Sequence, residues 1–110
     1  MGHKEALQEV LAKVEAGVDC EKWGFCGLDV GLGDITVAHD AHNGSLDAAK
    51  ALNEAVLGGW IYNLAPWGCH VFPPENDGNE NAFTGINQNP ARAWLIAIIK
   101  ALIAQEHTTP

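Results

Sequence analysis

The chain has 110 residues, the size of one ordinary domain, and 47% of them are hydrophobic against 18% that are charged. This composition excludes an intrinsically disordered protein, because disordered chains combine low hydrophobicity with high net charge. Six lysines and arginines against fourteen aspartates and glutamates give a net charge of −8. Such a surface repels phosphate backbones and anionic lipids, so we expect neither direct nucleic-acid binding nor membrane binding.

The cysteines and the N-terminal residues indicate a reduced, cytoplasmic setting. There are three cysteines, an odd number that argues against a disulfide framework. The N-terminal stretch MGHKEALQEVLAK lacks the apolar run of a signal peptide. The longest apolar run, Ala93 to Ile99, is far shorter than the ~20 residues that cross a bilayer.

The first predicted element is an amphipathic helix over residues 4–16. Its apolar residues recur at helical spacing, and Gly17 ends the pattern. Residues 18–42 follow as a glycine-rich, irregular segment without a sustained period. Within it, the β-branched residues of the sequence DITVAH predict an extended piece over 34–39.

The second half of the chain predicts a helix, a hairpin and another helix. Ser45 is placed as the N-cap of a helix over 45–57, which Gly58 and Gly59 end. Alternating residues on both sides of a Pro-Trp-Gly turn predict a β-hairpin over 60–72. A polar loop over 74–89 follows, in which residues 83–86 are suited to one short edge strand. Asn89 and Pro90 then open a helix over 90–105 as its cap and first residue.

These elements predict a single domain over 1–110 of the α+β class, with helices packed on a short antiparallel sheet in an α/β/α sandwich-like arrangement. The last helix is apolar over a wide arc, which indicates burial on more than one side, and any part left exposed would suit a homodimer. The packing residues are expected to include Leu46, Trp60, Leu64, Val71, Ile98 and Leu102.

Two stretches carry a family resemblance. The sequence SLDAAKALNEAVLGGW at 45–60 and the sequence NPARAWLIAIIKALIA at 89–104, separated by a hairpin and a polar loop, are similar to phage and prophage proteins with the phage ABA sandwich domain. The resemblance spans residues 45–104, and residues 18–42 depart from it. It implies a phage accessory protein in the cytoplasm of a bacterial host cell. These are packing motifs of a family without a settled function, so the resemblance transfers no catalytic residue.

One set of side chains has the composition of a zinc site. Cys20, Cys26, His39 and His42 would supply two thiolates and two imidazoles. Their spacings, C-x5-C and H-x2-H, are not those of the usual zinc motifs. The alternative is that the cysteines act as small hydrophobic residues and the histidines lie in a solvated turn, and we therefore expect no metal and no other cofactor.

Two other pairs contain residue types that occur in catalytic sites. Asp40 and His42 have the chemistry of a general acid and base, but no nucleophile or oxyanion hole accompanies them, so a polar loop is the simpler interpretation. Cys69 and His70 are neighbours on a predicted strand and should point to opposite faces, which prevents them from acting as nucleophile and base. We therefore expect no catalytic residue and no enzyme.

Four tryptophans remain, and two lack an obvious place in a core. Trp60 and Trp94 fit the inward faces of the hairpin and the last helix. Trp23 and Trp67 do not, and Trp67, in the hairpin turn, is suited to contact with a partner. The candidate binding residues are therefore Trp23, Trp67, His39 and His42.

The sequence is compatible with three functions. The first is a phage-type accessory protein that acts through protein–protein contact with an unidentified partner or a second copy. The second is an acidic inhibitor or mimic that blocks a nucleic-acid-binding or defence protein of the host, which the charge of −8 favours. The third is a module that binds a small ligand or nucleotide through the Trp67 turn, residues 18–42 and residues 75–89.

Overall fold

A computed structural model describes residues 3–17, 35–65, 68–72 and 82–108 of the chain. Within these ranges, helices cover one face of a small antiparallel sheet, which confirms the α+β class. The elements are α1 (His3–Ala16), α2 (Ile35–His42), α3 (Leu46–Val56), β1 (Ile61–Ala65), β2 (Gly68–Phe72), β3 (Phe83–Ile86) and α4 (Pro90–Thr108).

Helix α2 corrects the extended piece that was predicted over 34–39. The β-branched residues at 35–37 favour a strand in isolation, but tertiary packing overrides that preference. Ala38 and Ala41 are completely buried and His42 is nearly so, at positions i, i+3 and i+4 of a helix that packs against α3 and α4. The rest of the irregular segment, residues 18–34, lies outside the described residues.

Helix α3 begins and ends where the sequence indicated. The Ser45 hydroxyl accepts a hydrogen bond from the Ala48 amide at 3.1 Å, which confirms Ser45 as the N-cap. Leu52 and Asn53 are buried on the inner face of the helix. Leu46 was expected in the core and is instead 41% exposed, because it is the first residue of the helix, one turn before the buried positions begin at Ala49.

The sheet has the strand order β1-β2-β3, and both pairs are antiparallel. This confirms the hairpin and the short edge strand over 83–86. Leu64, which was expected in the core, is 38% exposed, because β1 lies at the edge of the sheet and α4 covers it far less than it covers β2 and β3. Residues 66–67 of the turn and 73–81 of the polar loop lie outside the described residues.

Helix α4 is the central element of the fold. The Asn89 side-chain oxygen accepts hydrogen bonds from the amides of Ala91 and Arg92, at 3.1 and 3.3 Å, which confirms the predicted cap. The sheet contacts α4 on one side, and α1, α2 and α3 contact it as well, so α4 forms the middle layer between the sheet and the other helices.

Burial of α4 is nearly complete from its second residue to its thirteenth. From Ala91 to Leu102 only Arg92 and Lys100 are even partly exposed. The helix therefore presents no exposed apolar stripe over this length, and a homodimer would need another surface. No helix in the described part of the chain is both long and apolar enough to span a bilayer.

Strand β3 lies unusually close to α4 because of one glycine. A methyl group built on Gly85 would overlap the carbonyl oxygen of Ala93, and it would lie 2.9 Å from the amide nitrogen of Ala97. Both obstacles are helix backbone. Only a residue without a side chain permits this approach, which positions β3 and the outer face of the sheet.

Candidate functional site

The candidate site lies on the outer face of the sheet, which we define as the face that points away from α4. Residues alternate between the faces of a strand, and the cross-strand register places Asn63, His70 and Thr84 in one row. The neighbouring rows point to α4: Tyr62 stacks on Trp94, and Gly85 meets the backbone of α4. The row of Asn63, His70 and Thr84 therefore belongs to the outer face.

A hollow of about 340 Å³ opens over this row, lined by Asn63, His70, Phe72, Ala82 and Thr84. His70 Nδ1 and the Thr84 hydroxyl are hydrogen-bonded at 2.7 Å, which fixes the orientation of the imidazole ring. The lining includes no lysine, arginine, aspartate or glutamate. Its chemistry is that of a polar surface beside one aromatic ring, without the lysine or arginine that favours a phosphate.

Exposed apolar side chains flank the hollow on the same face. Ile86 is 70% exposed and Ile61 is 43% exposed, at opposite edges of the sheet. Exposed large apolar residues that share a face with polar hydrogen-bonding groups are typical of protein contact surfaces. The outer face therefore combines two exposed aliphatic side chains with a central polar row.

Cys69 and His70 lie on opposite faces, as predicted. The Cys69 side chain is completely buried between the sheet and α4, and burial raises the pKa of its thiol from an ordinary value of 9.0 to about 12. The thiolate is the nucleophilic form of cysteine. Because a thiol with this pKa stays protonated near neutral pH, Cys69 acts as a small core residue.

The histidines of the zinc hypothesis are on helix α2, and the alternative of a solvated turn is wrong for both. His42 is 2% exposed while His39 is half-buried. Cys20 and Cys26 lie outside the described residues, so the four-ligand set stays a prediction. Among the residues that are described, no cluster of three or more His, Cys, Asp or Glu side chains has the geometry to hold a metal ion.

Asp40 and His42 do not form an acid–base pair. Residues two positions apart on an α-helix point to nearly opposite sides, and here Asp40 is exposed while His42 is buried.

Of the four tryptophans, Trp94 and Trp60 are placed by the structure. Trp94 is buried, and its indole N–H donates a hydrogen bond to the Asn53 side-chain oxygen at 3.2 Å. The centroids of the Tyr62 and Trp94 rings are 4.2 Å apart. Trp60 is half-buried against Phe83. Trp23 and Trp67, the two that were proposed to bind a partner, lie outside the described residues.

The polar row was missed in the sequence. Strand alternation places Asn63 on the opposite face from Tyr62 and Leu64, and this signal is local. Thr84 and His70, however, are fourteen residues apart, and only the register of the strands brings them together.

No known protein family, curated protein or solved structure matches the chain significantly.

Proposed function

We propose that this chain is a small accessory protein, of the phage or prophage type that its sequence resembles, which acts in the host cytoplasm through protein–protein contact and has no catalytic centre. The observation that carries the proposal is the outer face of the sheet, where Ile86 is 70% exposed and Ile61 is 43% exposed. Burial of such side chains by a partner is favourable by about 25 cal/mol per Å² of apolar surface.

The charge of the chain indicates the chemistry of this partner. The polar row carries no formally charged carboxylate or ammonium group, whereas the whole chain carries a charge of −8. A partner with an apolar centre and a basic rim would complement both features. This also accommodates the acidic inhibitor as a special case, in which the basic partner is a host nucleic-acid-binding or defence protein.

Site-specific photocrosslinking in the producing cell tests this proposal. A photoreactive amino acid at position 86 should give a discrete crosslinked product, and the same group at Gln8, an exposed position on α1, serves as the matched control. Loss of the product in Ile61→Ser, with the fold retained, would locate the contact on the outer face. Equal crosslinking from both positions, or none from position 86, would overturn the proposal.

The hollow favours a second candidate function, the binding of a small neutral molecule. Asn63, His70 and Thr84 offer hydrogen-bonding groups beside the ring of Phe72, a combination suited to an uncharged sugar or nucleoside. Titration with such compounds, followed by NMR, should shift the signals of these residues, and Thr84→Val should weaken binding more than Thr84→Ser. Uniform or absent shifts would exclude this function.

A further inference from the structure

The two edges of the sheet are protected unequally. At the β3 edge, Lys100 of α4 donates a hydrogen bond to the Thr84 carbonyl at 2.9 Å, and a charged side chain held at a sheet edge opposes pairing with another strand. At the β1 edge, the sequence Ile61–Ala65 contains no charged residue and no proline. Ile61, Tyr62 and Leu64 are 43%, 39% and 38% exposed, so β1 is open on both faces.

The hydrogen-bond pattern between the strands shows which backbone groups of β1 point to the free edge of the sheet. A methyl group built on Gly68 would overlap the Gly85 carbonyl oxygen, so that carbonyl points towards β2. The carbonyl of the preceding residue, Thr84, then points to the free edge of β3, where Lys100 bonds it, and Thr84 and His70 are a pair without mutual backbone bonds. The backbone groups of His70 then point to Asn63 on β1. By the same alternation, the N–H and C=O groups of Tyr62 and Leu64 point away from the sheet, and within the described residues no strand pairs with them.

We propose that β1 pairs in antiparallel orientation with β1 of a second copy of this chain, around a two-fold axis at Asn63. In this register Tyr62 lies opposite Leu64 of the second copy, and their outward N–H and C=O groups form four hydrogen bonds. Asn63 lies opposite its own counterpart, where the two amide side chains are close enough to bond. The two three-stranded sheets become one six-stranded sheet.

Two features favour a second copy over another occupant. The strand is self-complementary, because the aromatic ring of Tyr62 meets the aliphatic Leu64 side chain on the helix-covered face, and Ile61 meets the small Ala65 on the outer face. The contact is also free of charge in a chain that carries −8, so the seam itself brings no like charges together.

The unequal edges also limit the assembly to two copies. Pairing through β1 consumes the open edge of both chains, and the remaining edges are those that Lys100 protects. The result is a closed dimer and not a growing fibre. Five residues are a small contact compared with the ~800 Å² per partner of a standard interface, so the dimer should depend strongly on concentration.

Sedimentation equilibrium of the full chain over a range of concentrations tests the inference, with two charge variants at the axis. Asn63→Lys or Asn63→Asp alone places like charges opposite each other and should weaken the dimer by about tenfold. An equimolar mixture of the two variants should restore it as a heterodimer. Ile86→Lys, at the other edge of the same face, is the control and should dimerise like the unmodified chain.

Each outcome decides the question. A monomer at all concentrations, a dimer that both charge variants leave intact, or a mixture that stays monomeric would overturn the proposal. Near-UV circular dichroism establishes that each variant is folded, and Asn63 is exposed, so either charge is tolerated in the monomer. The dimer and the partner proposed for the outer face share Ile61, but the two proposals fail separately. Crosslinking from position 86 does not require the dimer, and sedimentation of the purified chain involves no partner.

Discussion

Replacement of Gly85 by alanine tests the close approach of β3 to α4, on which the position of the outer face depends. The added methyl group would overlap the carbonyl oxygen of Ala93 and crowd the amide nitrogen of Ala97. Neither atom belongs to a side chain that can rotate away, so the strand and the helix must separate. Separation would loosen the packing of Cys69 and Val71, which are buried on the neighbouring strand β2.

The magnitude follows from the kind of obstacle. Insertion of a methyl group into a packed core typically costs 1–3 kcal/mol, and backbone obstacles on two sides place Gly85→Ala at about 3 kcal/mol. For a domain of this size we expect a decrease of about 15 °C in the melting temperature, since each kcal/mol corresponds to roughly 4–8 °C. Urea unfolding, followed by far-UV circular dichroism, measures the loss directly.

Gly58→Ala provides the matched control. A methyl group there meets only the Glu54 carbonyl oxygen at 3.4 Å, and the backbone is not in the left-handed region. This substitution should change the free energy of unfolding by less than about 1 kcal/mol. The close approach of β3 and α4 is refuted if the free energy of unfolding of Gly85→Ala lies within about 0.5 kcal/mol of that of the unmodified chain, a difference too small to resolve.

Three further predictions concern single contacts. Asn53→Ala leaves the buried Trp94 indole N–H without its acceptor and should cost about 1–3 kcal/mol in urea unfolding; the same cost in a Trp94→Phe background would contradict this reason. Ser45→Ala removes the α3 cap and should lower the free energy of unfolding by about 1 kcal/mol, whereas Ser45→Asp should retain most of the stability. Equal losses in the two variants would show that the cap contributes nothing. Because the pKa of Cys69 is about 12 in the folded chain and ordinarily 9.0, the native state holds this proton more tightly. The contribution of Cys69 to stability is therefore complete below pH 9 and is lost as the pH rises towards 12, so the difference in unfolding free energy between the unmodified chain and Cys69→Ala should fall over this range. A difference that does not vary with pH would contradict the burial of the thiol.

Much of the fold could be predicted because its signals are local. Ser45 and Asn89 satisfy the backbone N–H groups that follow them within three residues, so a cap can be recognised from a short stretch of sequence. The alternation of strand residues likewise separates Cys69 from His70, whatever packs on either face. These predictions are confirmed because neither depends on a distant part of the chain.

Other features depend on which elements meet. The exposure of Leu64 reflects the place of β1 at an edge, and the helical state of 35–42 depends on burial of Ala38 and Ala41 against α3 and α4. Local preferences of about 1 kcal/mol or less are easily outweighed by such burial.

By itself, therefore, the sequence determined the α+β class, the caps and the inward and outward faces of the hairpin strands, since these follow from hydrogen bonds and periodicities within a few residues. Only the tertiary structure decided that α4 is the middle layer, that Asn63, His70 and Thr84 form one row, and that Lys100 protects one edge of the sheet while β1 stays open. Those features join residues far apart in sequence, so no short stretch of the chain carries a signal for them.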